Sequence, residues 1–257
     1  MRIDCSGVDF SVNHGIDLNP MKIGCYEHMH SKHEILLILK GNVSYCIDGH
    51  KFKINHYDLL FIPANTYHFL IPEDESTYEN FVISVEEKFL EDERFQALFT
   101  PPYRINISKD EVMRGFFENY TSLSKILSEE DFSLVVRNII EQIIICSMYK
   151  PKEGEINEKN TVAKISRYIA ENIEKPLDSK IIAKEFNFTS SYIQNLFSRE
   201  MGIGIKHYIN KKKIYAAHHD MQEGLSPLEV ADKYSYQNYS SFYRQYIKTF
   251  GVSPRKK

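Results

Sequence analysis

Several things are missing from this 257-residue chain, and each absence narrows its function. No apolar run approaches the roughly 18 residues that read as a membrane-spanning helix, so no span is expected. The opening residues, MRIDCSGVDFS, show no basic stretch followed by an apolar one. A secretory signal is therefore not read there, and a cytoplasmic location is expected. Cysteine is scarce. Cys5, Cys25, Cys46 and Cys146 lie far apart with no C-x-x-C pair, so neither a zinc knuckle nor a dithiol is signalled, and reduced thiols are the simplest reading. There is no G-x-S-x-G elbow, no P-loop and no G-x-G-x-x-G. Nothing in the motifs reads as catalytic, and an enzyme is not expected.

What is present is unevenly distributed. Hydrophobic residues make up 42% of the chain, enough for a sizeable core and, at this length, about two domains. The formal net charge is −3, but residues 161–257 carry 16 Lys and Arg against 9 Asp and Glu, a balance of +7. The preceding residues carry 16 against 26, a balance of −10. A basic part joined to an acidic part implies that one of them meets a polyanion.

Residues 22 to about 90 read as short strands. Ile35–Leu39 and Leu59–Pro63 are apolar runs, Val43–Ile47 leads into the hairpin turn Asp48-Gly49, and Phe81–Val85 closes the series. Closely spaced short strands predict a sandwich or barrel over about 1–100. Two helices are predicted over about 108–150. In the first, Val112, Phe116, Tyr120, Leu123 and Leu127 share a face, and Ser108 with Glu111 offers a capping box. In the second, Phe132, Val135, Val136, Ile139, Ile140, Ile143 and Ile144 form a wide stripe that covers the barrel or doubles as a dimer seam. Residues 151–160 have the composition of a linker. Domain 1–150 is thus expected to be followed by an all-helical domain over 161–257.

That second domain reads as a duplicated helix-turn-helix. In the first copy, about 178–202, Ile182 and Ala183 sit on a short helix, Asn187 takes the turn, and Thr189 caps a second helix. Tyr192, Ile193, Leu196 and Phe197 are expected to pack inward, leaving Ser190, Ser191, Gln194 and Asn195 to face base edges in a major groove. The second copy spans about 226–251. Ser226-Pro227-Leu228-Glu229 is a full helix start, Asn238 caps the second helix, and Phe242, Tyr246 and Phe250 face inward. Tyr239, Ser240, Tyr243 and Arg244 point outward. Ala231 answers Ala183 at an offset of 48, whereas Gly251 answers Gly202 at 49, so the second turn is one residue longer. Between the copies runs one helix over 207–221 whose Lys211, Lys212 and Lys213 are candidate phosphate contacts.

This region resembles the AraC/XylS family of transcription regulators over about 97 residues. The likeness is carried by Ile182-Ala183, Asn187-Phe188, Tyr192-Ile193, Leu196-Phe197, Gly202, Ala217, Val230-Ala231, Phe242, Arg244, Phe250-Gly251 and Ser253-Pro254. By that resemblance Ser191, Gln194 and Asn195 match base-contact positions of the first unit, and Tyr239, Ser240, Tyr243 and Arg244 those of the second. Asn187 and Ser235 stand where the family usually has Gly, Asp220 where an apolar residue is usual, and Lys213 where Arg is common. Arg255-Lys256-Lys257 follow Ser253-Pro254 and shorten the usual final segment.

The N-terminal part resembles the two cupin motifs. His28-Met29-His30 is followed by Glu34 and Gly41, and later by Tyr57-Asp58, Pro63, Asn65 and His68. Matching positions hold a metal in metal-binding cupins, and strand parity puts His28, His30 and Glu34 on one side. The second motif departs from that pattern at Tyr57, Asn65 and Pro72, and Gly24 lies too close to His28. His28, His30, Glu34 and His68 are therefore read as lining an effector pocket, with no cofactor assigned; they remain the candidate ligands for a divalent metal such as iron, zinc or manganese.

The fold expected is α+β and multidomain: a cupin-like barrel with a helical pair, then an all-α domain with two helix-turn-helix units. The function expected is a sequence-specific transcription regulator. Its partners would be double-stranded promoter DNA, a small-molecule effector such as a sugar, and a second copy of itself. The alternative is a metal-dependent cupin enzyme carrying a helical domain.

Overall fold

The computed structural model describes residues 2–20, 28–90, 92, 95, 97–99, 103–151, 153 and 160–255. Gly24, Cys25, most of the expected linker 151–160, and Lys256-Lys257 lie outside the described residues. The chain divides into two compact units, residues 1–47 with 51–156, and residues 48–50 with 157–257. The architecture is α+β: antiparallel sheet first, helices afterwards.

The first unit is built on strands β1 (Arg2–Ser6), β2 (Phe10–Asp17), β3 (His33–Lys40), β4 (Val43–Ile47), β5 (His50–Lys53), β6 (Asp58–Ile62), β7 (His68–Pro72), β8 (Tyr78–Val85) and β9 (Tyr103–Asn106). One sheet has six strands in the order β1-β2-β8-β3-β6-β9, the other three in the order β5-β4-β7. Strand order in the larger sheet follows from register: Leu36 of β3 pairs with Leu60 of β6 on one side and Val82 of β8 on the other.

The apolar runs in β3 and β6 lack alternation because both faces of the larger sheet are covered. Ile35, Leu37, Leu59 and Phe61 enter a core shared with the helices, while Leu36, Ile38, Leu60 and Ile62 enter a second core against the smaller sheet. With period-two side-chain alternation, both sets must be apolar. Each such burial contributes about 1.5–3 kcal/mol of transfer free energy. The Asp48-Gly49 turn is as expected: both residues have positive φ (42° and 88°), the conformation of a two-residue hairpin. β1, β2, β7 and β9 were not legible as strands, and the first strand begins at Arg2, well before residue 22.

Three helices cover the first core: α1 (Glu111–Glu118), α2 (Tyr120–Ile126) and α3 (Glu129–Met148). Two expectations are corrected here. Asp110, not Ser108, caps α1, accepting from the Met113 amide at 3.0 Å, whereas Ser108 is turned onto Asn106. Val112 is 66% exposed, and the buried face is Met113, Phe117 and Tyr120. The helix breaks at Asn119, yet Phe116, Tyr120, Leu123 and Leu127 of the expected stripe all pack on the first core, and only Val112 is turned away from it. In α3 the expected stripe holds, with Phe132, Val136, Ile140, Ile143 and Ile144 buried.

The second unit contains α4 (Thr161–Glu171), α5 (Ser179–Glu185), α6 (Ser190–Met201), α7 (Ile205–Gln222), α8 (Pro227–Lys233) and α9 (Tyr239–Phe250). Their ends carry the signals expected. Thr189 accepts from Tyr192 N, Asn238 from Ser241 N, and Ser226 with Glu229 forms a reciprocal capping box. Gly202 and Gly251 close α6 and α9 in the left-handed conformation, both at φ 71°. The second pair packs on α7 through Ile214, Ala217, Met221, Val230, Ala231, Phe242 and Tyr246. Asp220 fits despite its polarity, because it accepts from Tyr234 Oη at 2.8 Å and Lys233 Nζ at 2.7 Å. No helix among the described residues is long and apolar enough to cross a membrane.

Candidate functional site

Two places in the structure gather the residues singled out from the sequence. The first is the exposed side of α6 and α9. In each pair the turn folds back onto the end of the short helix through the same backbone bond. Phe188 N donates to Ala183 O at 2.8 Å, and Tyr236 N donates to Ala231 O at 3.0 Å. The exposed side chains of α6 include Ser191, Gln194 and Asn195, and those of α9 include Tyr239, Ser240, Tyr243 and Arg244.

Three sequence readings change. Tyr192 is 46% exposed rather than packed inward, with its ring 4.7 Å from that of Phe188. It therefore joins Ser191 and Asn195 on the outer face of α6, a position the apolar pattern concealed. Ser190 is half-buried, and its hydroxyl lies 2.8 Å from Ser179 Oγ, so it ties α6 to α5. Lys213 is 6% exposed and donates to Lys175 O at 2.9 Å and Tyr234 O at 2.7 Å. An ammonium committed to two buried carbonyls does not reach phosphate, so Lys213 leaves the set of DNA contacts. Lys212 likewise has its ammonium on a carboxylate, 2.8 Å from Asp48 Oδ2, with its side chain only 11% exposed, whereas Lys211 is partly exposed.

The second place is in the sheet unit, where His28, His30, Glu34 and His68 converge. The donor atoms, one per residue, all lie within 4.8 Å of one another. Their assembly does not come from strand parity, because β3 starts only at His33. His28 and His68 instead form a two-way backbone bridge, N–H to carbonyl at 3.1 Å each way, and Asn65 N donates to His30 O at 2.8 Å. Glu34 then enters from the start of β3.

His68 and Glu34 are buried, with His28 and His30 partly exposed. Glu34 Oε2 lies 3.0 Å from His30 Nε2 and 3.7 Å from His68 Nε2. Burial pushes the Glu34 carboxyl up, but the two imidazoles outweigh it and hold it well below the usual carboxylate range. Burial alone would lower the His30 pKa, yet its bond to Glu34 raises it overall. Beside the cluster is a cavity of about 460 Å³ lined by His28, Glu34, Leu36, Tyr45, Tyr78 and Asn80, among others. It combines apolar walls with a few convergent polar groups, as small-molecule pockets do. Asp17 also lines it, and its buried Oδ2 has no hydrogen-bond partner among the described residues.

The two units match two known domains. The AraC-like ligand binding domain matches residues 14–143, just over half the chain. A helix-turn-helix domain matches residues 182–257. The chain belongs to the AraC family of transcription regulators. It is 22% identical over 238 residues to the HTH-type transcriptional regulator YobQ of Bacillus subtilis (strain 168), covering 90% of this chain and 87% of that protein. It is 24% identical over 178 residues to YtdP of the same organism, covering 62% of this chain but only 23% of that much longer protein. Among solved structures, ToxT of Vibrio cholerae O395 aligns over 96% of both chains with 12% identity and a TM-score of 0.39.

Proposed function

We propose that the chain is an effector-controlled, sequence-specific regulator in which α6 and α9 enter successive major grooves on one face of promoter DNA. One observation carries this reading: two helix-turn-helix units of the same construction flank one continuous helix, α7, and each turns polar or basic side chains outward. At 1.5 Å per residue, the 18 residues of α7 extend about 27 Å, of the order of the roughly 34 Å groove repeat. Ser191, Gln194 and Asn195 read one groove segment, and Tyr239, Ser240, Tyr243 and Arg244 the next. Lys211 contacts phosphate.

The effector occupies the cavity beside Glu34. A small polar molecule such as a sugar suits Asp17 and Asn80 as hydrogen-bonding groups, with the Tyr45 and Tyr78 rings as stacking walls. The active form is a homodimer formed through the helical pair. Leu134 and Ile145, exposed on α3, support this.

A mobility-shift titration of the full chain on its own promoter region, at several salt concentrations, tests the reading. Saturable binding that weakens steeply with salt is expected. Absence of any saturable, salt-sensitive complex would sink it. Addition of metabolites to the same titration, together with thermal-shift measurements, tests effector control.

A further inference from the structure

Between α7 and α9 lies a cleft of about 510 Å³. His207 and Lys211 of α7 line one wall, Arg244 and Lys248 of α9 the other. Gln245 Nε2 donates to Asn210 O at 2.6 Å and fixes the two walls to each other. No carboxylate lines the cleft among the described residues. α9 has no Asp or Glu in its sequence, and the one acidic residue of α7, Asp220, is taken up by Tyr234 and Lys233. Cationic side chains gathered without a counter-charge repel one another and favour an anion between them. The first unit does not repeat this arrangement. At the 49-residue offset that relates Gly202 to Gly251, Lys248 answers Arg199 and Thr249 answers Glu200. Arg199 Nε lies 2.8 Å from Glu200 Oε1, so the matching cation there has a carboxylate of its own.

We infer that the α7–α9 cleft holds one phosphodiester of the DNA backbone, so that the second helix-turn-helix unit carries an anchor indifferent to sequence that the first unit lacks. Arg244 joins the cleft to the outward face of α9. It lines the one and is exposed on the other, so the surface that meets base edges continues into the cleft. A backbone phosphate beside those bases is the anion that this continuity supplies. Lys211, Lys248 and His207 offer N–H donors to its non-bridging oxygens, and such contacts set register on the duplex without reading sequence. The inference rests on the regulator reading above and adds His207 and Lys248 to its contacts.

The test uses the full chain and a duplex of its promoter region in a salt series. Lys248→Ala should lower the slope of log K against log salt by about 0.9, and weaken matched and unmatched sequences by the same factor. Arg199→Ala, its counterpart in the first unit, should leave the slope unchanged. Neutral methylphosphonate linkages, introduced one at a time, then locate the contact: one of them should weaken the wild type severalfold and leave Lys248→Ala unaffected. The inference is overturned by an unchanged slope for Lys248→Ala, by an equal drop for Arg199→Ala, or by the lack of any linkage whose effect disappears in the Lys248 variant. In a second arm, inorganic phosphate and pyrophosphate are titrated against the thermal midpoint. A midpoint raised in the wild type but not in Lys248→Ala, with the same DNA slope in both, would assign the cleft to a free anion and overturn the DNA occupant. Failure of the wild type to bind any duplex strikes the regulator reading and this inference with it, whereas binding with an unchanged Lys248→Ala slope strikes this inference alone.

Discussion

Asn187 and Ser235 occupy the same left-handed backbone conformation, at φ 55° and 52°, in the turns of the two helix-turn-helix units. Each donates its amide to the residue three back, Lys184 O at 3.3 Å and Asp232 O at 2.9 Å. The two turns are thus copies up to that point, and the extra residue of the second unit falls after it, between Ser235 and the cap Asn238. The strain differs. Asn tolerates a positive φ better than Ser does, and Ser235 adds a bond from its hydroxyl to Glu174 O at 2.5 Å.

Substitution at Asn187 tests the conformation directly. Asn187→Gly is expected to leave the thermal midpoint unchanged or slightly raised, whereas Asn187→Val should cost about 1–2 kcal/mol. Equal midpoints for the Gly and Val variants would refute a left-handed turn. Ser235→Gly should stabilise less than backbone relief alone implies, because the bond to Glu174 is lost.

The adjacent lysines of α7 should separate cleanly. Lys213→Met leaves the carbonyls of Lys175 and Tyr234 without their donor and should lower stability by about 1–3 kcal/mol. It should leave the salt dependence of DNA binding intact. Lys211→Ala should do the reverse, reducing the slope of log K against log salt by about 0.9 with little change in stability. Chemical denaturation and salt-series mobility shifts check both; a reduced slope for Lys213→Met would return that residue to the phosphate contacts.

Arg244 is the strongest base-reading candidate. Its Nε is held at 3.3 Å from Ser240 O within α9, leaving the rest of the guanidinium on the exposed face. Arg244→Ala should weaken specific binding by about 1–3 kcal/mol and relax preference at one position, provided it reads a guanine. Arg244→Lys should not restore it, because a lysine lacks the planar fork. Binding to the natural and a position-randomised site measures both, and a uniform loss across all sequences would make Arg244 a phosphate contact instead.

Acid sensitivity of the sheet unit should be traceable to Asp110. The bond from Lys150, then the Met113 amide, holds its carboxyl below the usual value. The folded pKa is therefore lower than the unfolded one, near 3.9. Its contribution is fully present above that value and is lost as pH falls through the depressed one. Thermal midpoints of the wild type and Asp110→Asn should converge as pH drops below about 4. A constant gap between them down to about pH 2.5 would remove Asp110 as the source.

The helical domain was largely legible because its signals are local. Thr189, Ser226 and Asn238 cap helices that each end or begin within a few residues, and the spacing of Ile193, Leu196 and Phe197 sets a face without reference to anything distant. The misreadings arose where a residue's environment is made by another element. Tyr192 fits the apolar spacing of α6 but lies beyond the edge of its packed face. Val112 fits the apolar spacing of the first helix, but the helix turns Met113 and Phe117 inward and leaves Val112 exposed. β1 and β2 mix polar and apolar residues because only part of each is covered, so neither alternation nor an apolar run announces them.

The sequence by itself determined the two-part plan, the duplicated motif, its caps and left-handed turns, and the residue types of the His/Glu set. These depend on backbone preferences and periodicities that act over a turn or two of chain. Only the tertiary structure decided that Lys213 is buried and that Ser190 ties two helices together. It alone brought the His28–His68 bridge and Glu34 into one cluster beside a cavity. The reason is physical: burial and convergence depend on which distant elements pack nearby, so a lysine in a KKK run is solvated or buried according to the carbonyls that meet it.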